Sequence, residues 1–452
     1  MLFNSLSFLV FFPVVTLLYF ILPHRWRWLQ LLVASCIFYM YFIPAYLLIL
    51  VFTIGVDYVA GIVIERSAGR RRQLFLLMSI AANLGVLFVF KYAGWISSSW
   101  SLILPIGLSF HTFQAMSYTI EVYRGRQAAE RHFGIYALYV MFYPQLVAGP
   151  IERPYQLLPQ LRERHYFSWE NLGAGLRLML LGFFKKLVIA DRLSAYVNYV
   201  YDHAQYLPYS YVIVAVVFFS FQVYCDFSGY SDIAIGAART MGFDLMDNFS
   251  RPYFAWNIRE FWSRWHISLT SWFRDYVYIP LGGNRVGRYR KYFNVLVVFL
   301  LSGIWHGAGW NFLIWGALHG VMMVVWMWRR DRNRKTEGGK MTRVLGVVVT
   351  FCLVSVAWVF FRSATLDQSL TVLRHLFVAK GNSFYVQWIT RTSIAVGFIF
   401  IALLLILERY TSSKLEELKG RFWPDIAFGV FMLTSILMWG VFSGQSFIYF
   451  QF

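Results

Sequence analysis

Charged residues are scarce in this sequence, where they make up 14% of the 452 residues. A soluble protein of ordinary composition has about 25% charged residues. Hydrophobic residues reach 59% and aromatic residues 20%. This composition excludes a soluble globular enzyme and predicts a membrane protein that crosses the bilayer many times.

Cysteine pairs and processing signals are also missing. The three cysteines, Cys36, Cys225 and Cys352, lie singly in apolar segments, where we expect reduced and packed side chains. The first apolar run has no basic region before it and no A-x-A cleavage site after it, so we expect a retained membrane span. The stretch LGGNRVGR at 281–288 lacks the spacing of a phosphate-binding Walker loop.

Long apolar runs are abundant. A helix needs about 20 residues to cross a hydrocarbon core of about 30 Å, and runs of about 10–14 residues are typical of re-entrant or tilted pieces. We therefore expect about ten to thirteen membrane segments, all α-helical. The runs extend over 2–22, 28–64, 74–90, 212–224, 293–301, 312–328, 344–361, 393–407 and 426–442.

The formal net charge of +19 comes from basic residues that are concentrated between apolar runs, at 66–72, 251–291 and 329–343. Short loops rich in lysine and arginine usually face the cytoplasm. We expect 66–72 and 329–343 on that side, beside anionic lipid headgroups. The charge also suits a phosphorylated ligand, whereas the sequence contains no nucleic-acid-binding module.

Two histidines, His306 and His319, lie in an almost uncharged stretch. Ionisable residues at membrane depth usually face a protein interior or a water-filled cavity, and the alternative is a packed structural histidine. On one unbroken helix the two would be about 20 Å apart. Because Gly307 and Gly309 disfavour a continuous helix, we expect a break that brings them closer.

The stretch Asn257 to Tyr278 alternates arginines with tryptophans and predicts an amphipathic helix. One interpretation is an interfacial helix held by its tryptophans and by anionic lipids. A second interpretation uses its arginines to bind the phosphates of a cofactor, because guanidinium groups bind phosphate bidentately. The two interpretations are compatible.

Three further segments carry polar residues in an apolar background. The segments 104–125 and 142–154 contain prolines and glycines, which are tolerated at membrane depth only when buried in protein or lining a cavity. In 142–154 they predict a helix end that turns into a structured loop. Asp226 and Asp232 either line an aqueous path or pair with an arginine such as Arg239.

Five sequence blocks are distinctive when taken together: LPIGLSFHTFQAMSYTIEVYRG, FYPQLVAGPIERP, YCDFSGYSDIAIG, RPYFAWNIREFWSRWHISLTSWFRDYVYIPLGGN and LSGIWHGAGWNFLIWGALHG. They resemble the membrane-bound O-acyltransferase (MBOAT) family. The resemblance is closest to its bacterial branch, which contains the alginate O-acetyltransferase membrane subunit and relatives that act on cellulose, peptidoglycan and teichoic acid. It extends from about residue 1 to the terminal FIYFQF.

The resemblance implies a single membrane domain over residues 1–452, with N-terminal spans at 1–90, a catalytic core at 91–328 and C-terminal spans at 329–452. The implied fold is a ring of membrane helices around a thinned centre, with interfacial and re-entrant helices. A tunnel joins a cytoplasmic donor funnel to an acceptor entrance on the other face.

The resemblance also implies residue roles. His319 in ALHG matches the family's catalytic histidine, and His306 in IWHG matches a second histidine typical of the bacterial branch. We expect His319 to act as general base, because desolvation favours its neutral imidazole, and His306 to support it. No metal is implied. The remaining candidates for donor binding or tunnel lining are His266, Arg264, Arg274, Asn311 and Trp305.

The activity implied in this way is O-acetyl transfer in the bacterial cytoplasmic (inner) membrane. An acetyl group passes from a cytoplasmic thioester, with acetyl-CoA as donor substrate and no permanently bound cofactor, to an exported polysaccharide. The implied partners are membrane lipids, an extracytoplasmic SGNH-type protein and a polysaccharide export complex. A carrier-protein thioester is an alternative donor.

Two other functions stay open at this stage. His111 and Glu121 suit a proton relay, which would make the chain a transporter or flippase of an exopolysaccharide export complex. That function predicts inverted repeats with paired broken helices, and the two halves of the sequence show no such correspondence. A structural scaffold would suit the aromatic loops and the terminal FIYFQF, but it leaves the histidines without a role.

Overall fold

The computed structural model describes residues 1–97, 102–147, 149–332, 339–378, 381, 391–414, 422–442 and 447–448. Within these ranges the chain forms α-helices, short 3-10 turns and two π-helical segments, with no β-strand. The predicted all-α class is therefore confirmed for the part of the chain that is described.

The helices are numbered in chain order. The first ten are α1 Leu6–Ile21, α2 His24–Met40, α3 Leu47–Arg66, α4 Gly69–Lys91, α5 Ala93–Ile96, α6 Leu108–Tyr123, α7 Phe133–Met141, α8 Tyr143–Leu146, α9 Pro154–Arg162 and α10 Trp169–Phe183. The others are α11 Asp191–Asp202, α12 Tyr209–Thr240, α13 Ile258–Arg264, α14 Ile267–Phe273, α15 Arg288–His306, α16 Trp310–Arg332, α17 Lys340–Arg362, α18 Leu366–His375, α19 Arg391–Lys414 and α20 Phe422–Trp439.

Five helical segments are long and apolar enough to cross a membrane, as far as the described residues go: Pro44–Arg66, Gly69–Lys91, Tyr209–Thr240, Trp310–Arg332 and Lys340–Arg362. Two shorter apolar helices, Leu6–Ile21 and Ile426–Trp439, add to them. The chain is thus a multi-pass membrane protein. The expected total of ten to thirteen segments stays a prediction.

The chain divides into two compact units. The first contains Met1–Gly182 and Tyr230–Asp247, and the second contains Phe183–Gly229 and Asn248–Ile448. In the first unit α3, α4 and α6 pack together around a buried carboxylate. Asp57 accepts hydrogen bonds from Ser79 (2.6 Å) and Asn83 (2.9 Å). Neutral donors therefore satisfy a carboxylate that would otherwise be costly to bury.

The polar segment 104–125 is buried, as predicted. Gly107 adopts the left-handed conformation (φ 76°), and α6 follows as a single buried helix. His111 and Glu121 both lie on α6, where ten residues of helix separate them by about 15 Å. Glu121 pairs with Arg124 at 3.1 Å. This distance is too long for direct proton transfer between His111 and Glu121.

The segment 142–154 also follows the prediction. Helix α7 ends at Met141, the one-turn helix α8 follows, and α9 begins at Pro154 after an irregular stretch. Ala148 in this stretch lies outside the described residues. So do two other parts of predicted features, namely 333–338 of the basic loop at 329–343 and 449–452 of the terminal FIYFQF.

In the second unit the predicted break between the two histidines is confirmed. Helix α15 ends at His306 and α16 begins at Trp310. The two helices pack closely, because a side chain on Gly303 or Gly316 would overlap a carbonyl oxygen of the facing helix. The turn and the glycine contact together bring residues near both ends of the 306–319 stretch into one region.

The prediction of one continuous amphipathic helix over Asn257 to Tyr278 is wrong. The stretch forms α13, α14 and a π-helical turn, Arg274–Tyr278. The chain turns sharply between α13 and α14, where His266 adopts the left-handed conformation (φ 43°, ψ 56°). A non-glycine residue in this region costs about 1–3 kcal/mol, so the surrounding structure must hold the turn.

The prediction that Asp226 pairs with an arginine such as Arg239 is also wrong. Asp226 lies within α12, and its Oδ1 is 2.6 Å from Nζ of Lys186. Lys186 belongs to a π-helical segment, Phe184–Ala190, and also pairs with Asp191 at 2.8 Å. All three side chains are buried. A lysine 40 residues earlier in the chain therefore neutralises Asp226.

Candidate active site around His319

His319 lies on the inner face of α16 and is fully buried. Aromatic rings surround its imidazole at centroid distances of 4.9 Å (Trp315), 5.0 Å (Trp262), 6.2 Å (Trp358) and 6.3 Å (Phe261 and Phe299). We call these five residues the aromatic box. They come from α13, α15, α16 and α17, so four helices position the histidine.

Neither nitrogen of the His319 imidazole has a hydrogen-bond partner among the described residues. A structural histidine in an apolar core normally has such a partner, because an unmade hydrogen bond there costs about 1–3 kcal/mol. In the part of the chain that the structure describes, aromatic rings pack against the imidazole and leave both of its nitrogens available for a hydrogen bond to a bound molecule.

His306 lies at the C-terminal end of α15 and is also buried. Its ring contacts Trp305 (4.8 Å), Trp315 (4.9 Å) and Phe361 (5.2 Å). Trp315 is therefore shared by the two histidines, since its centroid is 4.9 Å from that of His319 as well. The break in the helix has placed the two imidazoles against one indole.

His266 is buried between Phe227 (4.6 Å) and Trp305 (6.2 Å). The backbone carbonyl of Asn248 accepts a hydrogen bond from Ile267 at 3.0 Å, and the side-chain oxygen of Asn248 accepts one from the Ser268 hydroxyl at 2.6 Å. These two bonds hold the strained turn immediately after His266. Asn248 therefore fixes the direction in which His266 projects.

The three histidines are connected by aromatic rings within the second unit. Trp305 contacts both His266 and His306, and Trp315 contacts both His306 and His319. This continuous series of rings includes Trp305 and the three histidines that were predicted for the acyltransferase site.

The two arginines predicted to bind the donor already have carboxylate partners. Arg264 Nη2 is 2.6 Å from Glu260 Oε1, and Arg274 Nε is 2.8 Å from Asp275 Oδ1. Arg274 is largely exposed. A phosphate would therefore compete with a neighbouring carboxylate at each arginine, which weakens the expected attraction. Their donor-binding role stays a prediction.

Asn311 lies in the first turn of α16 and is buried. Its amide nitrogen donates to the Ser363 carbonyl at 2.7 Å, which fixes the start of α16 to the end of α17. Its Oδ1 has no hydrogen-bond partner in the described part of the chain. Asn311 thus has a packing role, and its side-chain oxygen is a possible hydrogen-bond acceptor for a ligand.

The sequence prediction did not include the tryptophans of the box. Trp315 precedes His319 by four residues, a spacing that places both on one helix face. That signal was available in the sequence. The contributions of Trp262 and Trp358 were not, because tryptophans are frequent throughout the chain and only the packing of α13 and α17 selects these two.

Comparison with known proteins adds an independent finding. Residues 86–366 match the sequence model of the membrane-bound O-acyltransferase family. The chain is 35% identical over 431 residues to the peptidoglycan O-acetyltransferase of Helicobacter pylori, covering 85% of this chain and 81% of the relative.

Two further relatives differ in the named polymer or acyl group. A probable alginate O-acetylase of Azotobacter vinelandii is 37% identical over 396 residues, with 83% of this chain and 78% of the relative covered. A teichoic acid D-alanyltransferase of Streptococcus thermophilus is 28% identical over 326 residues, with 66% and 77% covered. The region that matches the family model includes His266, His306 and His319.

Proposed function

Because the chain belongs to the membrane-bound O-acyltransferase family, we propose that it carries an acetyl group across the bacterial inner membrane to an exported polysaccharide. The donor is a cytoplasmic thioester, acetyl-CoA, and His319 is the general base. The observation that carries this proposal is the buried His319 imidazole, which has no hydrogen-bond partner among the described residues and lies within the matched region.

The proposed reaction replaces a thioester by an ester. His319 takes the proton of an acceptor hydroxyl while the hydroxyl oxygen forms a bond to the thioester carbon. The carbon–sulfur bond then breaks, and the leaving thiolate takes the proton back from the imidazolium. A positioned general base contributes about 10²–10⁴-fold to such a step. The remaining acceleration comes from positioning and from electrostatic stabilisation.

The acceptor polymer is proposed from the relatives. Two relatives that cover more than 80% of this chain are named for acetyl transfer to peptidoglycan or alginate. We infer that this chain serves a polysaccharide of the same class, through an extracytoplasmic SGNH-type partner and an export complex. A ring of helices around a thinned centre, with a tunnel from donor to acceptor side, would let one buried histidine serve both substrates.

The test compares wild-type cells with cells that carry His319→Ala at equal protein level. We expect the variant to lose acetyl incorporation into the extracellular polymer. His375→Ala is the matched control, because His375 is only half-buried on α18 and bonds a backbone carbonyl at 3.0 Å. Wild-type acetylation in the His319→Ala cells would refute the catalytic assignment.

The same experiment separates this function from the transporter or flippase alternative. A transporter variant that fails would lower the amount of exported polymer. A transferase variant that fails would leave polymer export unchanged and remove only the acetyl groups. Measuring polymer mass and acetyl content in parallel therefore distinguishes the two.

A further inference from the structure

Three rings of the active-site region contact one another in a closed triangle. His319 lies 4.9 Å from Trp315 and 5.0 Å from Trp262, and the two indoles are 5.9 Å apart. All three side chains are buried, His319 and Trp315 fully. The triangle combines residues of α13 and α16, and it forms the innermost part of the aromatic box.

All four nitrogens of this triangle are unpaired within the described structure. The indole Nε1 atoms of Trp262 and Trp315 have no acceptor there, and both imidazole nitrogens of His319 have no partner. Roughly 90% or more of buried polar groups in proteins have a hydrogen-bond partner. Four unpaired nitrogens in one contact group therefore indicate a place where a ligand supplies the missing partners.

The chemical type of the donors specifies that ligand. An indole N–H donates a hydrogen bond and accepts none. It suits a carbonyl oxygen, and it suits better the negatively charged oxygen that develops when a carbonyl carbon is attacked. The acyl group of a thioester contains such an oxygen, and the neighbouring imidazole suits the attacking hydroxyl.

We propose that the Trp315 indole N–H is the oxyanion donor of this site, an inference that rests on the proposed acetyl transfer. When the acceptor oxygen bonds to the thioester carbon, the carbonyl electron pair moves onto the carbonyl oxygen, which then accepts the Trp315 hydrogen bond. When the carbon–sulfur bond breaks, the carbonyl re-forms. His319 accepts and returns the proton, whereas Trp315 stabilises the charge on the carbonyl oxygen.

Trp315 is preferred over the other two tryptophans of the box for geometric reasons. It lies one helical turn before His319 on the same face of α16, so the helix itself fixes the spacing of donor and base. It also contacts His306. Trp262 lies on a separate short helix, and Trp358 is farther from His319, at 6.2 Å.

Packing alone provides a competing explanation, because an indole also fills space. The two explanations differ in what they require of the N–H group. Packing requires the shape of the ring system, whereas oxyanion stabilisation requires the hydrogen. Replacement of Trp315 by benzothienylalanine, which keeps the bicyclic shape and has sulfur in place of N–H, separates them without leaving a cavity.

The experiment measures acetyl transfer from acetyl-CoA by purified protein that carries Trp315→Phe or benzothienylalanine at position 315. We expect kcat to fall by about 10²–10³-fold in both, the usual effect of removing one oxyanion donor. The KM for acetyl-CoA should change little, because the bond strengthens only in the transition state. Wild-type kcat in the benzothienylalanine protein would overturn the assignment.

Two controls make the result specific. Trp265→Phe removes an indole that packs against Trp358 at 4.9 Å and should keep kcat close to the wild-type value. Trp262→Phe removes the second N–H of the triangle and should lower kcat less than Trp315→Phe does. A larger effect at Trp262 would overturn the choice of Trp315.

Failure of this inference differs from failure of the proposed function. If wild-type protein transfers acetyl groups and His319→Ala does not, while both Trp315 variants remain fully active, only the oxyanion assignment is wrong. If His319→Ala is as active as the wild type, the general-base role is wrong instead. The three variants should therefore be assayed side by side.

Discussion

Gly303 on α15 and Gly316 on α16 face each other without room for a side chain. A Cβ built on Gly303 would lie 3.4 Å from Cα of Gly316, and one on Gly316 would lie 3.3 Å from Cα of Gly303. Each would also overlap a carbonyl oxygen of the opposite helix, at Phe312 or Phe299. His306 and His319 each follow one of these glycines by three residues. The glycine contact thus determines how the two histidines approach Trp315.

The first prediction concerns this contact. Gly316→Ala should force α15 and α16 apart, since the added methyl group meets rigid backbone rather than a movable side chain. We expect acetyl transfer to fall by about 10²-fold, the effect typical of displacing a catalytic group by about 1 Å. The measurement is the initial rate of transfer on purified protein at matched folded amount.

Gly309→Ala is the control for that substitution. Gly309 lies in the turn between the two helices, and its nearest neighbour would be a Phe312 side-chain carbon at 3.8 Å, an ordinary contact. We expect the control to keep most of the activity. Equal losses in the two variants would contradict a special role for the helix contact.

The second prediction concerns the buried pair of Lys186 and Asp226. Lys186→Met would leave Asp226 and Asp191 buried without their cation, so the free energy of unfolding should fall by about 3–5 kcal/mol. Thermal unfolding in detergent measures the loss. Lys185→Met is the control, because Nζ of Lys185 is 4.0 Å from Glu408 and forms a weaker pair. A melting temperature for Lys186→Met equal to that of the wild type would contradict the prediction.

The sequence predicted the local features of the site more successfully than the tertiary ones. Glycine has a low helix propensity, so the break between His306 and His319 could be read from Gly307 and Gly309. The break inside Asn257 to Tyr278 could not, because the amphipathic pattern runs across it. Hydrogen bonds to the Asn248 segment, which lies outside this pattern in the sequence, help to stabilise the left-handed turn at His266.

Contacts between residues distant in sequence also could not be predicted. Asp226 is costly to bury unpaired, which the sequence reveals, but the choice between Arg239 and Lys186 depends on how α12 packs against the π-helical segment. The same applies to the aromatic box. Hydrophobic periodicity shows which face of α16 is buried and does not show which indoles from other helices reach His319.

The third prediction concerns donor binding by Arg264. Neutralising Arg264 and Arg274 together should raise the KM for acetyl-CoA, if these guanidinium groups bind its phosphates. Glu260→Gln provides a sharper test, because it removes the competing charge from Arg264 and keeps an acceptor for the backbone N–H of Trp256. We expect a lower KM in Glu260→Gln. An unchanged KM in all these variants would make the arginines membrane anchors.

The fourth prediction concerns the strained turn at His266. Asn248→Ala removes the side-chain acceptor of the Ser268 hydroxyl and leaves the backbone bond to Ile267 in place. The turn should loosen, so that His266 projects less uniformly toward Trp305. We expect a reduced kcat with protein that is still folded. Thr270→Ala is the control, because it removes a hydroxyl that donates to the Trp265 carbonyl at 3.2 Å and leaves the bonds to Asn248 in place.

The fifth prediction concerns orientation in the membrane. The basic loop at 329–343 should face the cytoplasm, because short loops rich in lysine and arginine are retained on that side. Helix α16 has 23 residues and is about 35 Å long, enough to cross the hydrocarbon core, so Ala308 at its other end should face the opposite side. In protein without the native cysteines, Gly339→Cys should react with an impermeant maleimide only after permeabilisation of the inner membrane, and Ala308→Cys should react before it. The reverse pattern would invert the predicted topology and place the basic loop at 329–343 on the extracytoplasmic face.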